Sequence, residues 1–277
     1  MLVNDCNLVS SDWLLEHLNN ENLVVLNGSQ IKDSEKTLPR SVIKGSLHFD
    51  FSNVICDLSS GLPNTMPNAD KFSKELSALG IKMTDFIVVY DDKGIYSAPR
   101  VWWMFKAMGF DKVAVLDGGL PRWLELGYPC VQQFEQKTKS NFQATYQDHL
   151  ICDKNSVLES IASKSSFILD ARSNSRFTGT ESETRAGLRS GHIPASINLH
   201  FRSLVPKFEM LPQKDLLQVF NKIIPDLNEP ITFTCGSGVT ACILALAATI
   251  CGYKNICVYD GSWTEWGADE SLDIEVG

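Results

Sequence analysis

Apolar positions along this chain fall into two alternating patterns. Short unbroken runs rich in β-branched and aromatic residues, such as Phe86-Ile87-Val88-Val89-Tyr90 and Ile231-Thr232-Phe233-Thr234, read as buried strands. Leu23-Val24-Val25-Leu26 and Phe167-Ile168-Leu169-Asp170 read the same way. Between them the spacing switches to a helical period. Asn68 to Leu79 puts Phe72, Leu76 and Leu79 on one face and meets Gly80 as its stop. Gln213 to Ile224 has the same form, and Thr240 to Ala248 is a run of strong helix formers. Strands alternating with helices at these spacings predict α/β architecture with mostly parallel sheets flanked by helices.

The pattern occurs twice. In the first half come Phe86 to Asp91, a turn, Ala98-Pro99-Arg100-Val101-Trp102-Trp103-Met104, then Lys112 to Leu116, Asp117-Gly118-Gly119 and Trp123. In the second come Ile231 to Cys235, a turn and a helix, then Asn255 to Tyr259, Asp260-Gly261-Ser262 and Trp263. The repeat predicts two tandem domains, 1–128 and 150–277, joined by a polar linker at 129–149 rich in Gln, Lys and Asn. It fails at one position, where Asp91 stands in the place of Cys235. An aspartate cannot carry sulfur. The second domain is therefore expected to hold the chemistry and the first to supply a wall, with the binding site between them.

Composition narrows the possibilities. The chain has 277 residues, enough for two domains with their own cores. Its net charge of −8 and lack of a basic tract argue against nucleic acid as a partner. An anionic substrate must then be held by a local cluster of arginines. The N-terminus lacks the basic start and apolar core of a leader, and no apolar run reaches membrane-spanning length. Eight cysteines are scattered without Cys-x2-Cys pairs or nearby histidines, so no metal site is expected and the thiols are read as reduced, in the cytoplasm.

Cys235 differs from the other seven. It ends an apolar run and is followed at once by Gly236-Ser237-Gly238-Val239-Thr240, with a helix beyond. A cysteine at such a turn faces unpaired N–H groups and the positive end of a helix, which favour the thiolate. The flanking glycines let the backbone curl so that Gly236, Gly238, Val239 and Thr240 can present N–H groups to an anion. Six residues after Cys235 stands Ala241, so the Cys-x5-Arg loop of a phosphatase is excluded. No Lys follows Gly-Ser-Gly, which excludes a nucleotide P-loop.

These motifs resemble the tandem-rhodanese sulfurtransferases over nearly the whole chain. The matching stretches include Tyr96 to Trp103, Asp117-Gly118-Gly119, Gly191-His192-Ile193-Pro194-Ala195 and Asp260-Gly261-Ser262-Trp263. Cys235-Gly236-Ser237-Gly238-Val239-Thr240-Ala241 looks like the 3-mercaptopyruvate version of the active-site loop, since thiosulfate-specific members carry basic residues after the cysteine. The resemblance implies that Cys235 is the sulfur-carrying nucleophile and that no cofactor is needed. It also implies that Arg176 and Arg185 bind the carboxylate and keto oxygen of the substrate. From spacing alone those arginines would sooner be surface residues balancing Glu181 and Glu183.

Ser237 is expected to assist the departing enolate. In family members this serine works with a first-domain histidine and aspartate. Here Val42 stands where a histidine is expected, so no full Ser–His–Asp relay is expected, with His48 as the substitute to test. His192 is read as structural. Tyr96 and Arg100 lie in the first-domain segment expected to face the cleft, and Trp102, Trp103, Trp123, Trp263 and Trp266 are read as core or interface. The partners implied are a small sulfur donor and a thiol or thioredoxin-like acceptor, for a monomeric protein. Alternatives are a thiosulfate:cyanide sulfurtransferase, a low-turnover persulfide carrier or sensor, and a purely structural tandem domain.

Overall fold

A computed structural model describes residues 6–30 and 41–277. The N-terminal stretch read for a leader lies mostly outside the described residues. Contacts divide the chain into two units. Unit 1 comprises the described residues up to Asp57, Met66–Gln147 and Lys207–Met210. Unit 2 comprises Leu58–Thr65, Asp148–Pro206 and Leu211–Gly277.

Unit 1 contains strands β1 (Leu8–Val9), β2 (Leu23–Asn27), β3 (Val42–Ile43), β4 (Ser46–His48), β5 (Phe86–Tyr90), β6 (Val113–Leu116) and β7 (Cys130–Val131). Its helices are α1 (Ser11–His17), α2 (Ala69–Ala78), α3 (Ala98–Ala107) and α4 (Gly119–Glu125). The main sheet runs β1-β6-β5-β2-β4, with every pairing parallel. A small antiparallel pair joins β3 to β7.

Unit 2 contains strands β8 (Ile151–Cys152), β9 (Phe167–Asp170), β10 (Ile197–Asn198), β11 (Ile231–Thr234) and β12 (Ile256–Tyr259). Its helices are α5 (Lys154–Ser163), α6 (Asn174–Phe177), α7 (Gln213–Asn221), α8 (Ala241–Cys251) and α9 (Ser262–Trp266). The sheet runs β10-β9-β11-β12-β8, again parallel throughout. Matched strand for strand, this is the order of unit 1, so the repeat in sequence is a repeat in topology.

The β-branched and aromatic strands are buried as parallel sheets require. All five residues of β5 and all four of β11 are inaccessible. Helix α2 starts where Asn68 accepts the N–H of Lys71 and stops at Gly80, which takes φ +78°. Helix α8 is apolar almost all round and sits in the interior, packed on β11, β12 and α7. Trp102, Trp103 and Trp123 lie in the core of unit 1, and Trp263 and Trp266 in that of unit 2.

The boundaries differ from the sequence reading in two ways. The polar stretch 129–149 is not a free linker: residues through Gln147 pack with unit 1. Phe142 is fully buried there against Phe72, Phe105 and Phe110, and its N–H donates to Ser77. One aromatic residue among polar neighbours is enough to fix the segment on a core. The units also each take a short piece from the other half of the sequence. Leu58–Thr65 packs with unit 2, and Lys207–Met210 with unit 1, where Met210 donates its N–H to Asp117 at 2.9 Å. Nothing in residue periodicity marks such an exchange.

Candidate active site

Cys235 follows the last residue of β11, and α8 begins at Ala241. The loop between them is held from below by Ser262. The Ser262 hydroxyl accepts the N–H groups of Cys235 at 3.2 Å and Gly238 at 3.1 Å, and itself donates to the carbonyl of Tyr259 at 2.8 Å. Ser262 is fully buried and adopts φ +50°, a costly conformation for a residue with a side chain. The carbonyls of Cys235 and Gly236 accept the N–H groups of Trp263 and Thr264. The loop is thus clamped onto the start of α9.

These bonds decide which loop N–H groups remain available. Gly238 provides the turn through φ +72°, but its N–H is engaged by Ser262. Its contribution is the shape of the loop. Among the described residues, the N–H groups of Gly236, Ser237, Val239 and Thr240 have no protein acceptor. With the first turn of α8 they form a region of positive potential beside the sulfur. Cys235 itself is 2% exposed, which keeps bulk water from its sulfur.

The arginines come from α6 and the loop after it. Arg176 donates through Nε and Nη2 to Glu183, whose side chain is buried. Glu183 also takes Nη1 of Arg172 at 2.8 Å, and Arg172 makes a two-pronged contact with Asp170. Burial would depress the Arg172 guanidinium, but the Asp170 and Glu183 carboxylates outweigh it and hold it charged. Arg172 also lies over the ring of Trp263, 4.4 Å from its centre. Asp170, Arg172, Glu183 and Arg176 thus form a rigid alternating row ending at Arg176.

The surface-balancing reading holds for Arg176 with Glu183 alone; Glu181 accepts the Ser175 hydroxyl instead. A side chain added at Gly236 would put its Cβ 3.2 Å from Nη2 of Arg176 and 3.8 Å from Nη1 of Arg185. Both guanidinium groups therefore border the loop, and only glycine leaves the space in front of them open. Arg185 is more exposed and donates to Ser237 Oγ and Thr264 Oγ1, each at 3.3 Å. Among the described residues it makes no ion pair.

Ser237 is 8% exposed, and its Oγ has two partners. One is Arg185; the other is Asn64, whose Nδ2 donates at 3.2 Å. Asn64 belongs to the Leu58–Thr65 piece of unit 2 and takes φ +62°. The polar neighbours of this serine are thus an amide and a guanidinium. His48, the substitute considered for a relay, is part of unit 1. Its ring stacks on Phe134, and burial lowers its pKa. Val42 is a buried strand residue. His192 donates from Nδ1 to the carbonyl of Phe177 at 2.8 Å and stacks on that ring, a local role that ties down the loop after β9.

Unit 1 has the same loop, with a different occupant. The carboxylate of Asp91 accepts the N–H groups of Lys93, Tyr96, Ser97 and Ala98 at 2.8–2.9 Å. The turn that leaves donors unsatisfied in unit 2 is filled here by its own side chain. Tyr96 gives a backbone bond to this arrangement, and Arg100 is buried on α3.

Sequence reasoning did not find Asn64, Ser262, Arg172 or Glu183. Glu183 was noted only as a counter-charge. Ser262 stood in a quoted motif, but nothing in its spacing signalled that its hydroxyl supports the cysteine loop.

A model of the rhodanese-like domain matches residues 10–126 and again 153–269. Thiosulfate/3-mercaptopyruvate sulfurtransferase 1, mitochondrial, of Arabidopsis thaliana is 38% identical, over 97% of this chain and 78% of that protein. The 3-mercaptopyruvate sulfurtransferase of Homo sapiens is 35% identical, over 94% of this chain and 91% of its own. Among solved structures, SseA of Escherichia coli, a 3-mercaptopyruvate sulfotransferase, superposes with a TM-score of 0.83 and 28% identity, covering 93% of this chain and 99% of that one. Two units of one topology, each on a parallel sheet, with a sulfur seated at the strand-to-helix turn of the second, and the domain match over both halves place the chain in the rhodanese family, as a tandem of two rhodanese-like domains.

Proposed function

We propose that this chain is a sulfurtransferase that moves sulfane sulfur from 3-mercaptopyruvate to a thiol or cyanide through a persulfide on Cys235, releasing pyruvate. The observation that carries this reading is the position of Gly236, beside the sulfur and within van der Waals reach of both Arg176 and Arg185. A planar α-keto acid fits between two guanidinium groups, which can hold its carboxylate and keto oxygen through paired hydrogen bonds.

The reaction is a double displacement. Sγ of Cys235 attacks the substrate sulfur, the carbon–sulfur bond breaks with its electron pair passing to carbon, and pyruvate leaves as the enolate. Arg176, held by Glu183, fixes the acid. Ser237 and the available loop N–H groups offset the developing negative charge. The outer sulfur of the persulfide then lies over the same N–H groups until a second thiophile removes it. Arg185 also holds the Ser237 hydroxyl, so substrate binding and charge stabilisation share one contact.

The relatives named for both donors support thiosulfate as a second donor, in line with the Arabidopsis proteins. A thioredoxin-like protein or small thiol as acceptor, a monomeric state and a reducing cytoplasmic compartment complete the reading. All eight cysteines are free, which fits a reducing compartment, and one Arabidopsis relative carries the word mitochondrial in its name. Among the described residues no helix is long and apolar enough to cross a membrane.

The test is pyruvate release from mercaptopyruvate by the wild type and by Cys235→Ser, run beside thiosulfate:cyanide transfer. Wild type should release pyruvate and Cys235→Ser should not, because an alkoxide forms no persulfide. Release by the variant, or none by the wild type, rejects the mechanism.

A further inference from the structure

Away from Cys235, a second sulfur site lies across one face of the unit 2 sheet. Cys152 on β8 and Cys257 on β12 face each other with their Sγ atoms 3.3 Å apart. The neighbouring strand extends the row: Thr232 Oγ1 lies 3.4 Å from Cys257 Sγ, and Ser166 Oγ lies 3.0 Å from Thr232 Oγ1. Both thiols line a cavity of about 360 Å³ that His149, Lys254 and a set of serines also border. The cysteine loop around Cys235 does not contribute to it. Both cysteines are half-buried, so a small molecule in the cavity would meet sulfur.

We propose that Cys152 and Cys257 are a redox-active dithiol, converted to an intramolecular disulfide by small organic disulfides that enter this cavity. In the first step the Cys257 thiolate attacks one sulfur of the small disulfide RSSR. A mixed disulfide Cys257–S–S–R forms and RS⁻ leaves. In the second step Cys152, giving up its proton, attacks the Cys257 sulfur and expels the second RS⁻. Overall, two thiols are oxidised and one small disulfide is reduced to two thiols.

The order of attack follows from the row of hydroxyls and thiols. Cys257 Sγ lies between Thr232 and Cys152, and its hydrogen bond with Cys152 draws its pKa down. The same bond and burial push Cys152 up, so it keeps its proton until the mixed disulfide forms. Closure from the 3.3 Å separation to a bonded distance needs the sulfurs to approach by about 1.3 Å, with a small shift of β8, an edge strand, along β12. Among the described residues no group of three or more His, Cys, Asp or Glu gathers there as a metal site would require. Two sulfurs without further ligands suit bond formation between them.

The experiment treats the full chain with 2-hydroxyethyl disulfide and maps its peptides without reduction. The expected result is a chain lighter by two hydrogens at this site, with the Cys152 and Cys257 peptides cross-linked and separated again by reductant. Any adduct on Cys235 is resolved as a different peptide. Cys152→Ser should stop at the mixed disulfide on Cys257, and Cys257→Ser should slow modification of Cys152 by about tenfold or more. Absence of the cross-link in the wild type overturns the proposal. So does equal reactivity of Cys152 with and without Cys257. Because the wild-type map is decisive by itself, a variant that fails to fold leaves the test intact.

Discussion

The side-chain amide of Asn64 donates to the hydroxyl of Ser237 at 3.2 Å, joining positions 173 residues apart. This bond exists because Leu58–Thr65 packs with unit 2 while its flanks belong to unit 1. It gives Ser237 a fixed donor, so the hydroxyl proton is free to turn toward a developing oxyanion. Replacing Asn64 by Ala removes one neutral hydrogen bond, about 0.5–1.5 kcal/mol. On the proposed mechanism, kcat with mercaptopyruvate should fall roughly 3- to 10-fold. Alkylation of Cys235 should keep its rate. A variant with unchanged kcat would show that the hydroxyl needs no such support.

Arg176 and Arg185 should not be equivalent. Arg176 is braced by a buried carboxylate, whereas Arg185 is more exposed and leans on two hydroxyls. Loss of a charged, paired contact costs about 2–4 kcal/mol, on the order of a 30- to 1000-fold drop in kcat/KM. Arg176→Ala should fall at the upper end and Arg185→Ala at the lower, because water screens the exposed group more. Glu183→Gln, which leaves both arginines in place, should also lower kcat/KM by loosening Arg176. Steady-state kinetics of the three variants distinguishes this order from its reverse.

Ser262 makes an unusual prediction about size. Its hydroxyl satisfies two loop N–H groups, and leaving each buried and unpaired costs about 1–3 kcal/mol. Its φ of +50° favours glycine. Ser262→Gly should therefore be less destabilised than Ser262→Ala, by about 1 kcal/mol. Both should lose turnover as the cysteine loop relaxes. Denaturant unfolding of the two variants checks the order, and a more stable alanine variant would contradict it.

Asp91 anchors the corresponding loop of unit 1 through four backbone donors. Asp91→Ala would leave those donors without the carboxylate and should destabilise the protein by about 3 kcal/mol or more. Intact-mass measurement after mercaptopyruvate should still find one added sulfur on the folded fraction, since Cys235 is untouched. Loss of that sulfur from well-folded variant would place Asp91 in the chemistry.

Asp117 makes stability depend on pH. Burial raises its pKa from 3.8 to about 6, with the Met210 N–H pulling the other way. A carboxyl with a raised folded pKa favours the folded state while protonated, and this advantage is lost as pH rises through about 6. Between pH 4 and pH 7 the group should thus cost roughly 2 kcal/mol. Asp117→Asn keeps an acceptor for Met210 without the charge. Its unfolding midpoint should exceed that of the wild type by a margin that widens from pH 5 to pH 8. A margin independent of pH would rule this out.

Local chemistry fixed much of this protein before any folding. β5 is an unbroken apolar run and β11 a β-branched and aromatic one, and such runs read as buried strands where helices alternate with them. Asn68 and Gly80 carry the start and stop of α2 in their own side-chain chemistry. The glycines around Cys235 announced a tight turn, and Asp91 in the place of Cys235 pointed to the second half for the chemistry. What residue order could not supply was contact between distant positions. Phe142 turned an expected linker into packed structure, Asn64 came to Ser237 through an exchanged segment, and Cys152 met Cys257 across two strands. Helix and strand signals arise from neighbours within a few residues. Pairings across a hundred or more residues depend on strand order and on which segment fills the last gap, and these are settled only when the whole chain has packed.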